Sequence, residues 1–283
     1  MSFIEVRGLA KSFAAASGVR HVLRDVSLDV ERGEFVSIVG AMGSGKSTLL
    51  SLIAGLTSAD AGTITLDGVP LRGIPPRAAF VFQNYSLLPW FSALENVRLA
   101  VGAAFPGSSA DEQTSRARKT LDSVGLGNAV HRRPGQLSGG MRQRVAIARA
   151  FATEPDVLFL DEPFGALDAL TRETLQQELV RLCAAEAQGI TTVMITNNVE
   201  EAILLSDRIV PMVSSQPASL GAPIVVELPR PRSVAQLAHD EQATHVRAHV
   251  VATLTASVGR FRRPASATPA AASRLEAVAE EIR

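Results

Sequence analysis

An α/β fold, a mostly parallel sheet with helices on both faces, is what this sequence of 283 residues predicts. Three observations carry that reading. Short apolar runs alternate with helical patterns along much of the chain. One run, "EFVSIVG", passes through a Gly-rich turn directly into a helix pattern. Another, "DVLFLDEP", ends abruptly in two acids.

The elements follow in order. "HVLRDVSLDV" (21–30) partly alternates apolar and polar residues, as a half-buried strand does. "EFVSIVG" (34–40) is continuously apolar and fits a strand buried on both faces. In "KSTLLSLIAGL" (46–56), Leu49, Leu50, Ile53 and Leu56 have helical spacing, with Gly55 near the end. "GTITLDG" (62–68) and "AAFVFQ" (78–83) read as short strands. Between about 84 and 155 the pattern changes to helices separated by Gly and Pro, including "SALENVRLAV" and "SRARKTLDSVGL", and reads as a helical insertion. A strand at 156–163, a long amphipathic helix at about 169–187, and the strands "TTVMIT" and "DRIVPMV" complete the alternation. From about 258 the chain is Ala/Pro/Arg-rich, and a loose or partly helical tail to 283 is expected.

Composition narrows the function. Apolar content of 46% is enough for a sizeable core. Lys+Arg and Asp+Glu both number 28, which argues against a broad basic surface for nucleic acid. The lone cysteine, Cys183, excludes an internal disulfide and reads as a packed structural thiol. No apolar stretch reaches the roughly 18–20 residues of a spanning helix. The N-terminus, "MSFIEVRGLAKSF", lacks a signal-peptide core. The expectation is a soluble, cytoplasmic chain that can still sit on a membrane through a partner.

Three motifs carry chemistry. "GAMGSGKST" (40–48) fits G-x-x-x-x-G-K-[ST] between a strand and a helix, the context a phosphate loop requires. Gly40, Gly43 and Gly45 let the backbone of Ala41, Met42 and Ser44 curl its N–H groups toward phosphate oxygens. The helix beginning near Lys46 adds the positive end of its dipole. Lys46 reaches the β- and γ-phosphates, and Ser47, followed by Thr48, offers a hydroxyl to Mg²⁺. In "VLFLDE", Asp161 is placed to bind Mg²⁺ through water and Glu162 to orient and deprotonate an attacking water. In "LSGGMRQRVAIARA", Ser138 caps a helix whose first turn, Gly139 and Gly140, stays open to an anion.

"LSGGMRQR" resembles the signature of ATP-binding-cassette (ABC) ATPases, and the family's other motifs stand in its order. "GAMGSGKST" looks like its phosphate loop and "LFLDEP" like its acidic strand. Gln83 in "VFQN" looks like the glutamine that touches Mg²⁺ and water and reports to the permease. "GALD" (165–168) looks like the loop that meets the opposite subunit. Phe13 in "KSF" is placed like the aromatic that stacks on adenine; Phe3, or a plain core role for Phe13, is the alternative. The resemblance covers roughly residues 3–255. It implies a phosphate-loop NTPase with a mixed/parallel sheet, an antiparallel N-terminal subdomain and the helical insertion, an ABC domain spanning 1–257. It also implies ATP and Mg²⁺ as cofactors and two cassettes, homomeric or heteromeric, enclosing two ATP molecules. Ser138, Gly139 and Gly140 then act across the dimer, on the partner's nucleotide. Transmembrane permease subunits convert closure into alternating access, and a binding protein outside delivers the cargo.

The chain departs from that pattern at "TNNVEE". The position of Asn197 is a histidine in most of the family, and that of Asn198 usually an aspartate. Asn can still donate an amide hydrogen bond to a phosphate oxygen, but near neutral pH it does not take up a proton or a positive charge as His can. Slower hydrolysis is therefore expected, with the rest of the site complete; reliance on a partner cassette for turnover, and Asn as a tolerated substitute, are the alternatives.

"FQNYSLLPWFSALENVRLAV", "DEPFGALDALTRETLQ" and "EEAILLSDRIVPM" look like the importer cassettes for nitrate, sulfonate and taurine. "SLLPW" and "VELPRPR" (226–232) look most like the nitrate/nitrite branch, whose relatives also handle cyanate or bicarbonate. The length favours the short, single-cassette type without a fused binding domain. Leu87, Leu88 and Trp90, in "NYSLLPWF" (84–91), are expected to be partly exposed as an apolar docking cluster for the permease, with core residues of the insertion as the alternative. A soluble ABC ATPase acting on DNA or ribosomes, and a low-turnover nucleotide sensor, are the competing classes. Co-purification with membrane protein separates the first from the importer; turnover separates the second.

Overall fold

The computed structural model describes residues 2–15, 18–184, 189–213 and 217–259. The chain opens with β1 (Ser2–Ala15) and β2 (Gly18–Glu31), followed by β3 (Phe35–Val39), α1 (Lys46–Ile53), β4 (Ala61–Leu66), β5 (Val69–Pro70) and β6 (Ala78–Val81). Helices then take over: α2 (Ala93–Ala104), α3 (Ala110–Ser123) and α4 (Gly139–Phe151). β7 (Val157–Asp161), α5 (Ala169–Ala184), β8 (Thr191–Thr196), α6 (Val199–Leu205) and β9 (Arg208–Val213) restore the alternation. The short β10 (Ser219–Leu220) and β11 (Ile224–Val225), then α7 (Val234–Leu237) and α8 (Glu241–Gly259), close the described chain.

Two sheets result. β2-β1-β4-β5 is antiparallel, built on the β1–β2 ribbon. The larger sheet runs β10-β9-β3-β8-β7-β6, and its central strands β9, β3, β8, β7 and β6 are all parallel. Its central strands β3, β8 and β7 are buried on both faces. Leu158 and Leu160 of β7 join the core formed with α2 to α6, while Val157 and Phe159 join the core formed with α1 and the antiparallel sheet. The fold is therefore the phosphate-loop NTPase type expected, with mixed sheets and helices on both faces.

Some expected boundaries move. The helix read over 46–56 ends at Ile53. Gly55 lies at φ +71°, and a Cβ there would sit 2.0 Å from the Gly73 carbonyl oxygen, so the turn admits only glycine. The helix read over 169–187 is described to Ala184; residues 185–188 lie outside the described residues. Of the expected tail, 258 and 259 end α8, and 260–283 lie outside the described residues. Cys183 is buried with its Sγ 3.8 Å from Thr192 Oγ1, and burial pushes the thiol up to about 11.

The "VELPRPR" segment has a structural role of its own. The Arg232 guanidinium donates to the carbonyls of Ile203 (2.8 Å), Ser206 (2.7 Å), Val226 (3.1 Å) and Leu228 (2.7 Å). Arg230 donates to Leu205 O at 2.6 Å and pairs with Asp207 at 2.9 Å. Two cations thus satisfy carbonyls at the C-terminal end of α6, where the helix dipole favours positive charge.

Candidate nucleotide site

β3, β8, β7 and β6 are parallel neighbours, so their carboxyl ends share one edge of the sheet. The register places Val39 beside Thr196, Asp161 beside Ile195 and Val81 beside Leu160. The residues just beyond those ends, the 40–45 loop, Asn197, Glu162 and Gln83, are therefore brought together.

The loop after β3 turns through Gly43 (φ +73°) and Gly45 (φ +99°), the latter capping α1 in the left-handed region. Ser44 N donates to Ala41 O at 3.2 Å, and the buried Ser44 Oγ lies 3.6 Å from Met212 Sδ. Lys46 is only 4% exposed. Its Nζ donates to Gly40 O (2.9 Å) and Ala41 O (3.0 Å) and lies 3.6 Å from Glu162 Oε1. Burial pulls the ammonium below its ordinary value, opposed by Glu162 and Asp161. Across the cleft, Ser47 Oγ donates to Asp161 Oδ1 at 3.3 Å. Burial pushes the Asp161 carboxyl up, partly offset by that hydrogen bond.

Glu162 sits at φ +44°, a left-handed conformation that a non-glycine residue adopts at a cost of about 1–3 kcal/mol. Its N–H donates to Ile195 O at 3.0 Å, and its carbonyl accepts from Gly165 N at 3.2 Å. The backbone is thus held in the conformation that points the second acid over the loop.

Two clefts meet here. The larger, about 550 Å³, is lined by Phe13, Arg20, Val22, Met42, Lys46, Ser47 and Thr48, with Gln83 and Glu162. The smaller, about 340 Å³, shares Met42, Gln83 and Glu162 and adds Arg172, Asn197, Asn198 and Glu201. Phe13 is 44% exposed on β1, opposite Arg20 in register. Phe3, the alternative aromatic, is buried in the core under the Arg32 guanidinium, 4.1 Å from its ring centroid. The cleft therefore contains Phe13 and not Phe3.

Asn198 caps α6: its Oδ1 accepts from Glu200 N (2.9 Å) and Glu201 N (3.4 Å). Asn197 takes no part in that cap and is exposed. Ser138 caps α4, accepting from Met141 N at 3.2 Å, but Ser138, Gly139 and Gly140 line neither cleft. A Cβ on Gly140 would meet Thr171 Cγ2 at 2.4 Å.

Sequence reasoning missed several residues. Arg20 is visible only once β1 and β2 are paired. Glu201 and Arg172 are ordinary helix residues until α6 and α5 face each other. Asn96, 1% exposed, donates to the carbonyls of Leu88, Phe91 and Ser92 and accepts from Leu88 N. It thereby shapes the loop on which Trp90 stands 62% exposed, with Leu87 and Leu88 half-buried beside it. Among the described residues, no helix is long and apolar enough to cross a membrane.

This geometry defines a phosphate-loop nucleotide-binding protein. A family model described as "ABC transporter" matches residues 23–165. The chain is 46% identical over 249 residues to the nitrate transport protein NasD of Klebsiella oxytoca, an alignment covering 88% of this chain and 94% of NasD. It is 44% identical over 245 residues to the nitrate import ATP-binding protein NrtD of Synechococcus elongatus, covering 87% of this chain and 89% of NrtD. Identity to the bicarbonate transport ATP-binding protein CmpC of Synechocystis is 44% over 250 residues, covering 88% of this chain but only 37% of CmpC. An ATP-binding cassette solved as a dimer in a post-hydrolysis state with ADP and Pi superposes with a TM-score of 0.72 at 32% identity, covering 80% of this chain and 99% of that one. The chain belongs to the ABC transporter family, whose cassettes bind and hydrolyse ATP.

Proposed function

We propose that this chain is the ATP-hydrolysing subunit of an anion importer, with nitrate as the cargo. The observation that carries the hydrolytic half is the single sheet edge where Lys46, Ser47, Gln83, Asp161 and Glu162 converge. The cargo rests on likeness to nitrate cassettes matched over nearly their whole length.

Each residue has a definite task. The backbone N–H groups of 41–45 and the α1 N-terminus bind the phosphates. Lys46 exchanges its loop carbonyls for β- and γ-phosphate oxygens, and Phe13 stacks on the base. The oxygen-rich set fits Mg²⁺: Ser47 Oγ and Asp161 Oδ1 already approach each other, the burial of Asp161 favours a cation beside it, and Gln83 adds an amide oxygen. When bound, Mg²⁺ neutralises charge on the phosphate oxygens. Glu162 orients and deprotonates the attacking water, and Asn197 donates an amide hydrogen bond toward the γ-phosphate. Ser138, Gly139 and Gly140 serve the nucleotide of a second cassette, consistent with their separation from both clefts.

The cassette proper is taken as 1–257, with the helical subdomain at about 84–155. Its exposed Trp90 loop receives the permease on the cytoplasmic face of the membrane. Mg²⁺-ATP hydrolysis by the purified chain, lost in Glu162→Gln, tests the enzyme. Uptake of labelled nitrate by cells lacking the chain, restored by wild type and not by Glu162→Gln, tests the cargo. Restoration of taurine or bicarbonate uptake instead would reassign it.

A further inference from the structure

The turn that carries Asn197 and the 165–168 loop are joined by a chain of contacts with one loose link. Thr196 Oγ1 accepts from Asn198 N at 3.0 Å and donates to Glu201 Oε2 at 2.8 Å. Glu201 is 5% exposed on α6, so its other oxygen needs a partner inside the protein. Arg172, one turn into α5, approaches that oxygen: Nε lies 3.7 Å from Glu201 Oε1. The same side chain donates from its terminal nitrogen to Leu167 O at 2.9 Å and so holds the 165–168 loop. The Arg172 Nε–H is buried without a hydrogen-bond partner. An unpaired buried donor facing a buried carboxylate across such a gap is costly, and closing it by roughly 1 Å satisfies both groups at once.

We propose that Arg172 and Glu201 are positioning residues that couple the 165–168 loop to the Asn197 turn, Glu201 acting through Thr196 and Arg172 through Leu167. This rests on the reading of Asn197 and the 165–168 loop as parts of an ATP-hydrolysing cassette. Neither residue lines the larger cleft that holds Lys46 and Ser47. Movement of the loop toward α6 shortens the Arg172–Glu201 contact, and Glu201 then holds Thr196 and the following turn more firmly. Reciprocity is required: what stiffens one segment stiffens the other.

The test uses the purified full-length chain with Arg172→Ala, Glu201→Gln and the double variant. Each single change is expected to lower kcat about tenfold with KM for ATP within about twofold. The double variant is expected to match either single one, and Arg172→Lys to recover part of the loss. Additive losses, or a raised KM at unchanged kcat, would overturn the coupling. Amide hydrogen exchange supplies a readout that needs no turnover. Arg172→Ala is expected to speed exchange in 196–202, and Glu201→Gln in 165–168. Changes confined to each variant's own element would sink the proposal. If the wild type proves inactive, the ATPase reading fails, and exchange alone decides whether the two segments are coupled.

Discussion

Asn197→His should accelerate ATP hydrolysis. Asn197 is exposed and outside the Asn198 cap, so an imidazole enters the cleft of about 340 Å³ beside Gln83 and Glu162 without disturbing α6. A neutral amide donating to a phosphate oxygen contributes about 0.5–1.5 kcal/mol, and a charged donor about 1.5–3 kcal/mol. If the gain of about 1–1.5 kcal/mol is realised in the transition state, kcat rises roughly five- to tenfold. The imidazole also titrates near neutral pH, as the amide does not, so the variant's pH–rate profile should show a new inflection at about 6.5. The assay is steady-state phosphate release at saturating Mg²⁺-ATP across about pH 5.5–8.5, with Glu162→Gln as the blank. Unchanged turnover with no new inflection would refute the argument that the amide limits this site.

Three further outcomes follow from the packing. Gly140→Ala drives a methyl group into Thr171 Cγ2 and should destabilise the chain by about 1–3 kcal/mol, read as a lowered Tm, with Thr171→Ser restoring most of it. Cys183, its thiol held up to about 11 by burial, is about one part in a thousand thiolate at pH 8, against roughly a quarter for a free thiol; native alkylation should be at least a hundredfold slower than in denaturant, and fast native labelling would contradict the burial. Burial holds the Glu201 carboxyl above its ordinary value, so between the unfolded and folded pKa values the unfolded chain ionises first. Its ionisation therefore costs stability as pH rises through that window, and the Tm of Glu201→Gln relative to wild type should be higher at pH 7.5 than at about pH 4; a relative Tm that falls as pH rises would reverse the sign argued here.

The sequence was most legible where local pattern and burial agree. β3, β7 and β8 are continuous apolar runs because both of their faces are covered, and the phosphate loop follows from glycine spacing between strand and helix. β1 was less visible from its residues alone. Its pairing is interrupted by register shifts around Gly8, so strict alternation never develops. α8 is rich in Val, Thr and His, which weaken both helix propensity and a clear apolar stripe. Within the site, the motif residues could be read one by one. The Glu201–Arg172 contact could not, because it joins residues on two helices that only the tertiary fold brings together. Asn96 looked like an ordinary helix residue, and only the loop folded around its amide shows its role.

The arginine pair at 230 and 232 sets how short this chain can be made. The helix that follows the Asn197 turn has its last carbonyls satisfied by guanidinium groups more than twenty residues downstream. A chain cut after β9 would keep every motif residue yet release that end of α6. A fusion joined beyond α7 leaves the pair in place, whereas one joined at β11 would yield a protein with an intact signature and a frayed end to α6.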